Sequence, residues 1–466
     1  MRLKPLSGLD AGFLYLEAAG TPMHVGSLML LTPPKKRGYD FHQALTDLIA
    51  ERLPKARALK RKLVDAPLEL AHPMWGEATH IDLEEHIRRE RLPHPGSESQ
   101  LLRRVAELHA DPLPRDRPLW RLVVIEGLAS GEVAMYSKVH HALLDGQGGV
   151  ALAQVVLDLE PRIPPKRKVS VSEPSAPVSQ RAVASTALRA TVNQFAKVLR
   201  AVPATLKLAS QAVGEAGALM SRAKDALLLA PRTPLNVHIG NERSYAIQSL
   251  PLDDVKRVAK GFGVSVNDVV LALVAGAMRD YLKRLDALPD EPLVVGMPVS
   301  LRSADNGEVN NQVSMVQCPL PTNLGDPLER LRAIQLATRD IKGRVSAFKD
   351  LIPTDFPGLA APMWAAGLSR LWARGKVAER LPPLANLVIS NVPGPPVDLY
   401  LAGAKLHHYF PVSIVTHGLA LNITVHSYGG SMDFGLIAAR DVVPKPDSIA
   451  KGLQRALTAL LKKVPA

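Results

Sequence analysis

The chain has little with which to cross-link itself or cross a membrane. Only one of its 466 residues is a cysteine, Cys318. A single thiol forms no internal disulfide, which suits a reducing compartment. No stretch of about 18 uninterrupted apolar residues occurs, so no membrane-spanning helix is expected. The longest apolar run, Leu359 to Leu368, is short and holds Pro362. The opening Met1-Arg2-Leu3-Lys4-Pro5 has no apolar run behind it, so no secretory leader is expected there. Aromatic residues are 4% of the chain, which leaves its cores to Ala, Val and Leu. No glycine-rich phosphate loop or dinucleotide fingerprint is found, and no cofactor is expected. His24, His407, His408, His417 and His426 lack ligand-like spacing and read as strand residues, so no metal site is expected either.

What is present is length and apolar mass. Hydrophobic residues make up 47% of a chain too long for one ordinary core, so two domains are expected. The net charge of +13 is unevenly placed. Residues 1–165 are neutral, with 21 basic and 21 acidic side chains. Residues 166–235 carry 11 basic against 3 acidic, a net +8, and residues 236–466 carry 25 against 20, a net +5. A nucleic-acid binder more often spreads its basic residues over a folded face with aromatics between them. Excess charge gathered in one segment argues against nucleic acid as a partner.

The first third alternates strand and helix signals. Strands are expected at His24–Leu31, Arg121–Glu126 and Glu132–His140, and helices at Phe41–Leu53, Ser97–Ala110 and Gln147–Leu159. Five prolines and the cluster Lys166-Arg167-Lys168 then mark a linker between Glu160 and Gln180. An Ala-rich helical stretch follows from about Arg181 to Leu229. The last part returns to α/β signals. It has strands at Arg243–Leu250, Pro292–Val299, Gln312–Cys318 and Ala385–Ser390, and helices at Leu252–Phe262 and Asn267–Leu285. Leu419–Ser427 and Ser431–Ala438 flank Tyr428-Gly429-Gly430, a hairpin signal. A final helix carries Ile449, Leu453, Leu457 and Leu460 on one side. The expected division is 1–165 for a first α/β domain, 166–235 for a basic helical linker and 236–466 for a second α/β domain.

The segment that carries chemistry is Val139-His140-His141-Ala142-Leu143-Leu144-Asp145-Gly146. Side chains alternate across a strand, so His140 and His141 are expected on opposite faces and are poorly placed to share a metal. An imidazole takes and returns a proton near neutrality. That suits acyl transfer to a hydroxyl, in which a base removes the alcohol proton and returns a proton to the leaving group. No Ser or Cys nearby forms a nucleophile motif, so direct transfer is favoured over an acyl-enzyme. Asp145 could orient the histidine or hold the loop through an arginine. Gly146 permits a sharp turn.

The whole motif resembles that of the bacterial wax ester synthase/diacylglycerol acyltransferases, and the resemblance runs over nearly the entire chain. It rests on Leu9-Asp10-Ala11-Gly12-Phe13-Leu14, Glu17, Pro22-Met23-His24-Val25-Gly26, Pro118-Leu119-Trp120 and His140 to Gly146. It continues in Asn267-Asp268-Val269-Val270-Leu271-Ala272, Pro298-Val299-Ser300-Leu301-Arg302 and Ile389-Ser390-Asn391-Val392-Pro393-Gly394-Pro395. The resemblance implies two α/β halves of the chloramphenicol acetyltransferase and condensation-domain type, mixed sheets with flanking helices, joined by the helical linker. It implies an active-site tunnel between them, His141 as the base and Asp145 in a structural role. A related superfamily motif is only partly matched by Asp433-Phe434-Gly435-Leu436, so Asp433 is given no catalytic part.

Other residues carry two readings. Asn267 either caps the helix it precedes or donates its amide to the oxyanion of the reacting carbonyl. Asp268 reads as a first-turn acid favoured by the helix dipole. Arg302 is expected to pair with Asp145, because an unpaired buried charge is costly. Ser300 and Asn391 are weaker tunnel contacts, with Asn391 opening a rigid loop to Pro395. Pro118-Leu119-Trp120 reads as packing. The expected activity is transfer of a long-chain acyl group from acyl-coenzyme A to diacylglycerol, a fatty alcohol or both. The alternatives are a condensation-type enzyme with an amine or polyketide acceptor, and an inactive protein of lipid-inclusion surfaces.

Insoluble acceptors require a lipid surface. Leu188, Val192, Phe195, Leu199 and Val202 share one side of a helix, with Arg189, Lys197 and Arg200 beside or opposite it. Leu206, Val213, Met220 and Leu227 recur every seven residues. These stripes either pack on the two domains or lie in a membrane interface. The expected location is cytoplasmic, on the inner membrane face or on lipid inclusions. The oligomeric state is not legible.

Overall fold

A computed structural model describes residues 3–18, 20–66, 72–78, 80–143, 155–166, 185–186, 228–300, 313–348 and 377–465. In chain order its strands are β1 (Lys4–Pro5), β2 (His24–Thr32), β3 (Arg61–Val64), β4 (Met74–Glu77), β5 (Ile87–Arg91), β6 (Trp120–Glu126), β7 (Val133–His140) and β8 (Arg243–Pro251). They continue as β9 (Leu293–Ser300), β10 (Val313–Leu320), β11 (Leu387–Pro393), β12 (Tyr400–Leu401), β13 (Ala404–Val412), β14 (Leu421–Tyr428) and β15 (Ser431–Ala439). The longer helices are α1 (Gly8–Leu16), α2 (Phe41–Arg52), α3 (Glu98–Ala110), α4 (Leu252–Phe262), α5 (Val266–Arg284), α6 (Pro327–Phe348) and α7 (Asp447–Leu461). The strands and helices expected from periodicity agree with these within a few residues. The expected 147–159 helix falls mostly outside the described residues; within it, Asp158 bridges to Tyr400. The 181–229 helices fall almost wholly outside.

Two six-stranded mixed sheets organise the fold, in the orders β12-β13-β2-β7-β6-β5 and β10-β9-β11-β14-β15-β8. A three-stranded sheet, β1-β4-β3, flanks them. A split at residue 236 does not anticipate that β12 and β13, from the last part of the chain, belong to the first sheet. There β13 runs antiparallel to β2, pairing Phe410 with Leu28. The first half is therefore completed by residues far along the sequence.

Apolar faces explain this arrangement. On β7 the burial pattern is buried throughout, as expected for a central strand covered on both sides. Met135 and Val139 join the core built with α2, while Ala134 and Tyr136 join a core that also takes in Tyr245, Phe410 and Ile437. That second cluster lies between the sheets. At Gly435 an added Cβ would sit 1.8 Å from the Pro411 carbonyl oxygen, so only glycine lets β15 approach β13 this closely. The second half packs around α5, whose residues Val269 to Met278 are almost all buried. A helix apolar on all sides is a core helix. Among the described residues no single helix is long and apolar enough to cross a membrane. The β14–β15 hairpin turns at Gly429 and Gly430, both at positive φ (51° and 90°), as a two-residue primed turn requires.

Candidate active site

The histidine pair stands where a central strand ends. β7 pairs with β2 on one side and β6 on the other, and the ladder continues past it: the His140 amide donates to the Leu119 carbonyl (2.9 Å) and the His141 amide to that of Met23 (2.8 Å). His141 then opens a 3₁₀ turn, His141–Leu143. Strand alternation thus stops at His140, and the surroundings of the two rings, rather than parity, distinguish them.

His140 is locked. Its Nδ1 accepts the Ala142 amide (3.1 Å), so that nitrogen carries no proton. The proton sits on Nε2, which donates to the Glu17 carboxylate (2.9 Å). Glu17 also accepts the Met23 amide (3.2 Å) and Arg115 (3.2 Å). Burial would raise the Glu17 carboxyl, but the hydrogen bond and electrostatic pull of His140, the Arg115 guanidinium and the Met23 amide together hold it below the usual range.

His141 is differently placed. Its ring stacks on Phe13, with centroids 3.9 Å apart and planes inclined by 20°. Its Nδ1 is buried and has no hydrogen-bond partner among the described residues. Burial, then the neighbouring His140, lower its pKa to about 4, partly opposed by a backbone contact of its own. The imidazole is therefore neutral through the ordinary pH range and can accept a proton.

One helix end addresses both rings. Ser7 caps α1 by accepting the Asp10 amide. The helix closes at Glu17, whose amide donates to the Phe13 carbonyl. Residues four apart share a helix face, so Phe13 reaches His141 and Glu17 reaches His140. Neither was given a role from sequence, although the Phe13–Glu17 spacing just before Pro22-Met23-His24 was the available signal.

Among the second-half candidates, Asn267 and Asn391 meet. The Asn391 amide approaches the Asn267 side-chain oxygen at 3.5 Å. Asn267 is not a cap: helix α5 begins at Val266 and Ser265 caps it, in a reciprocal box with Asp268. Asp268 also accepts the Thr338 hydroxyl (2.7 Å), so it is a buried junction as well as a first-turn acid. Asn391 lies within β11 rather than in a loop, since the strand continues to Pro393. Ser300 ends β9 opposite Val313. Asp145, Gly146 and Arg302 lie outside the described residues, and so does their expected pairing.

The remaining readings divide. Trp120 packs as expected, nearly fully buried with its indole N–H on the Leu59 carbonyl (2.8 Å). His24, His407, His408 and His426 are strand residues. His417 is not; it sits in the turn before β14, stacked on His238 at 3.8 Å. Asp433 is fully buried and accepts the Tyr409 amide (2.9 Å) and His408 Nδ1 (3.1 Å), tying β15 to β13. Among the described residues no three His, Cys, Asp or Glu side chains converge to hold a metal.

Two mixed sheets, the first completed by β12 and β13 from the last part of the chain, with a histidine pair at the end of a central strand, make up a condensation-domain-like fold. The first condensation domain of the calcium-dependent antibiotic synthetase shares it (TM-score 0.53, 14% identity, 100% of this chain and 98% of that one). Residues 6–270 match the wax ester synthase/diacylglycerol acyltransferase catalytic domain and residues 309–461 the C-terminal domain of the same family. The wax ester synthase/diacylglycerol acyltransferase from Marinobacter aquaeolei VT8 superposes with a TM-score of 0.70 at 31% identity, over 99% of both chains. The O-acyltransferase WSD of Acinetobacter baylyi is 34% identical over 466 residues, covering 97% of this chain and 96% of its own. A Mycobacterium tuberculosis protein provisionally named a diacylglycerol O-acyltransferase is 38% identical over 467 residues, covering 98% and 100%. The chain belongs to the wax ester synthase/diacylglycerol acyltransferase family and is an acyltransferase.

Proposed function

We propose that this enzyme transfers a long-chain acyl group from acyl-coenzyme A to diacylglycerol, a long-chain fatty alcohol or both, with His141 as general base. The observation that carries the reading is the contrast at the strand end. His140 has both ring nitrogens engaged, whereas His141 stacks on Phe13 and leaves its Nδ1 without a hydrogen-bond partner among the described residues. As the acceptor oxygen attacks the thioester carbonyl carbon, its proton passes to His141. The tetrahedral oxyanion collapses, the C–S bond breaks and the coenzyme A thiolate takes the proton back. Asn267 donates its side-chain amide to the oxyanion; Asn391 orients it, as their 3.5 Å approach supports. Asp145 pairs with Arg302 to hold the loop after the motif, Gly146 makes its turn and Ser300 lines the coenzyme A path. No cofactor takes part. The basic 166–235 segment docks the enzyme on a lipid surface, where each basic residue near anionic lipid adds about 1 kcal/mol.

The test is thiol release from palmitoyl-coenzyme A by the purified protein, offered hexadecanol and diacylglycerol separately. Release with either acceptor supports the reading and ranks the two. Release only with an amine or polyketide hydroxyl would move the enzyme to condensation-type chemistry. No release with any acceptor would favour an inactive lipid-surface protein. Flotation with anionic liposomes tests docking: reversing Arg189, Lys197 and Arg200 to Glu should reduce it, and unchanged flotation would place the anchor elsewhere.

A further inference from the structure

We propose that Arg243, on the second sheet, is a positioning residue that holds the loop presenting the two histidines. Glu17, Ala18 and residues 20–23 belong to a strap below them. Glu17 and Met23 close its base through the Met23 amide, and the Met23 carbonyl accepts the His141 amide. The strap folds back between Ala18 and Thr21, which bridge each other and place Gly20 at the tip. Gly20 faces the other half of the molecule. A Cβ added there would meet the Asn241 side-chain oxygen at 3.1 Å and the Ile239 carbonyl at 3.3 Å.

Arg243 begins β8 at this point and is only 5% exposed. Its Nη1 donates to the carbonyls of Gly240 (2.8 Å) and Glu242 (3.0 Å), and its Nη2 donates to that of Gly20. No carboxylate pairs with it among the described residues; Asp441, the acid in electrostatic reach, accepts the Gly240 amide instead. Packing alone does not call for a buried guanidinium bound only by carbonyls, because burying such a charge without an ion pair is expensive. What it achieves is geometric. A rigid fork ties two carbonyls of the second half and one of the strap to a single side chain. The second half also carries Asn267 and Asn391, so Arg243 sets the distance between that amide pair and the base. Reacting groups displaced by about 1 Å can lose about 10²-fold in rate.

This rests on the reading of His141 as the base, and the experiment separates the two. Arg243→Gln, Arg243→Lys, Gly20→Ala and His141→Ala are assayed with palmitoyl-coenzyme A and hexadecanol, per folded molecule. Arg243→Gln should lower kcat by about 10- to 100-fold with KM for palmitoyl-coenzyme A within about twofold, the signature of misplacement rather than lost binding. Arg243→Lys keeps the charge but reaches fewer carbonyls, and should recover part of the loss. Gly20→Ala keeps Arg243 and displaces the strap, so kcat should fall several-fold, by roughly an order of magnitude at most. It also decides the matter should the Gln variant not fold. Unchanged kcat in Gly20→Ala and Arg243→Lys, or a rise in KM at constant kcat, overturns the positioning role. Loss in His141→Ala with wild-type kcat in Arg243→Gln rejects Arg243 alone. Retained turnover in His141→Ala rejects the base and this proposal with it.

Discussion

Glu17 and Asp433 each hold an imidazole, Glu17 that of His140 within the first half and Asp433 that of His408 between the two sheets. The Glu17 pair is enclosed on both sides, with His140 1% and Glu17 9% exposed, whereas His408 is 36% exposed above a fully buried Asp433. His140 is fixed in one ring orientation because Nδ1 accepts an amide while Nε2 faces Glu17. His408 makes its acid contact through Nδ1, and the Asp433 hydrogen bond raises its pKa. A carboxylate–histidine pair is therefore not in itself a catalytic signature. Both pairs are structural, and each lies near an imidazole whose Nδ1 has no hydrogen-bonding partner among the described residues: His426 across from Asp433 and, within the motif itself, His141 beside His140.

The comparison breaks most directly at that neighbour. His141→Ala should lose about 10²–10⁴-fold in kcat, the usual worth of a general base, with little change in Tm because its Nδ1 makes no hydrogen bond among the described residues. His140→Ala should instead lower Tm strongly, since it leaves the Ala142 amide without its acceptor and takes one donor from the buried Glu17 carboxylate. Equal losses of turnover in the two variants, both folded, would remove the distinction. From the second half, Asn267→Ala should lower kcat by about 10²–10³-fold and leave Tm near wild type, because Ser265 does the capping. Ser265→Ala should do the reverse, costing about 0.5–2 kcal/mol of stability. A large Tm shift with unchanged turnover in Asn267→Ala would make that residue structural.

The two carboxylates themselves sharpen the contrast. In Glu17→Gln the amide must turn a donor toward either Arg115 or the His140 Nε2–H, and a hydrogen bond to a charged group worth about 1.5–3 kcal/mol is lost. Asp433→Asn loses a similar amount at the Tyr409 and His408 contacts. Only Glu17→Gln should also reduce turnover, since its contacts include the strap under His141. A Glu17→Gln enzyme with wild-type kcat per folded molecule, measured beside Asp433→Asn, would show that His140 need not be held for His141 to work.

How much of this was legible in sequence depends on range. Local periodicity carried the elements: Leu252 to Phe262 is the helix its spacing predicts, and the Gly429-Gly430 turn follows from backbone sterics. The histidine motif carried the residue proposed as the base. The partners did not show. Glu17 meets His140 across 123 positions and Arg243 meets Gly20 across 223. No periodicity links such pairs, because only the packed sheets bring them together. The transfer of β13 to the first sheet was hidden for the same reason: a strand's pattern tells which face is apolar, not which neighbour it pairs with. Asn267 was ambiguous because Ser265 and Asn267 are both good caps, and only the helix start at Val266 decides between them.

The smallest expected effect separates His408 from the other buried histidines by pH. Burial lowers the pKa of His24, and brings His86 to about 4, His109 to about 3 and His417 to about 4, as it does His141. Unfolded histidine titrates near 6.5. Between that value and the folded one the unfolded chain binds more protons, so the protein should lose stability as pH falls below about 6.5. His408 has the opposite sign. Its folded pKa lies above the unfolded one, so its contribution is complete below about 6.5 and disappears as pH rises through the folded value. Partial exposure screens the pair and holds the effect to roughly 1 kcal/mol or less. His408→Gln should therefore be less stable than wild type in urea at pH 5.5 and nearly indistinguishable from it at pH 8, even as both proteins weaken in acid. A difference that is larger at pH 8 than at pH 5.5 would mean that Asp433 holds the neutral ring, and that the two carboxylate–histidine pairs are electrostatically alike.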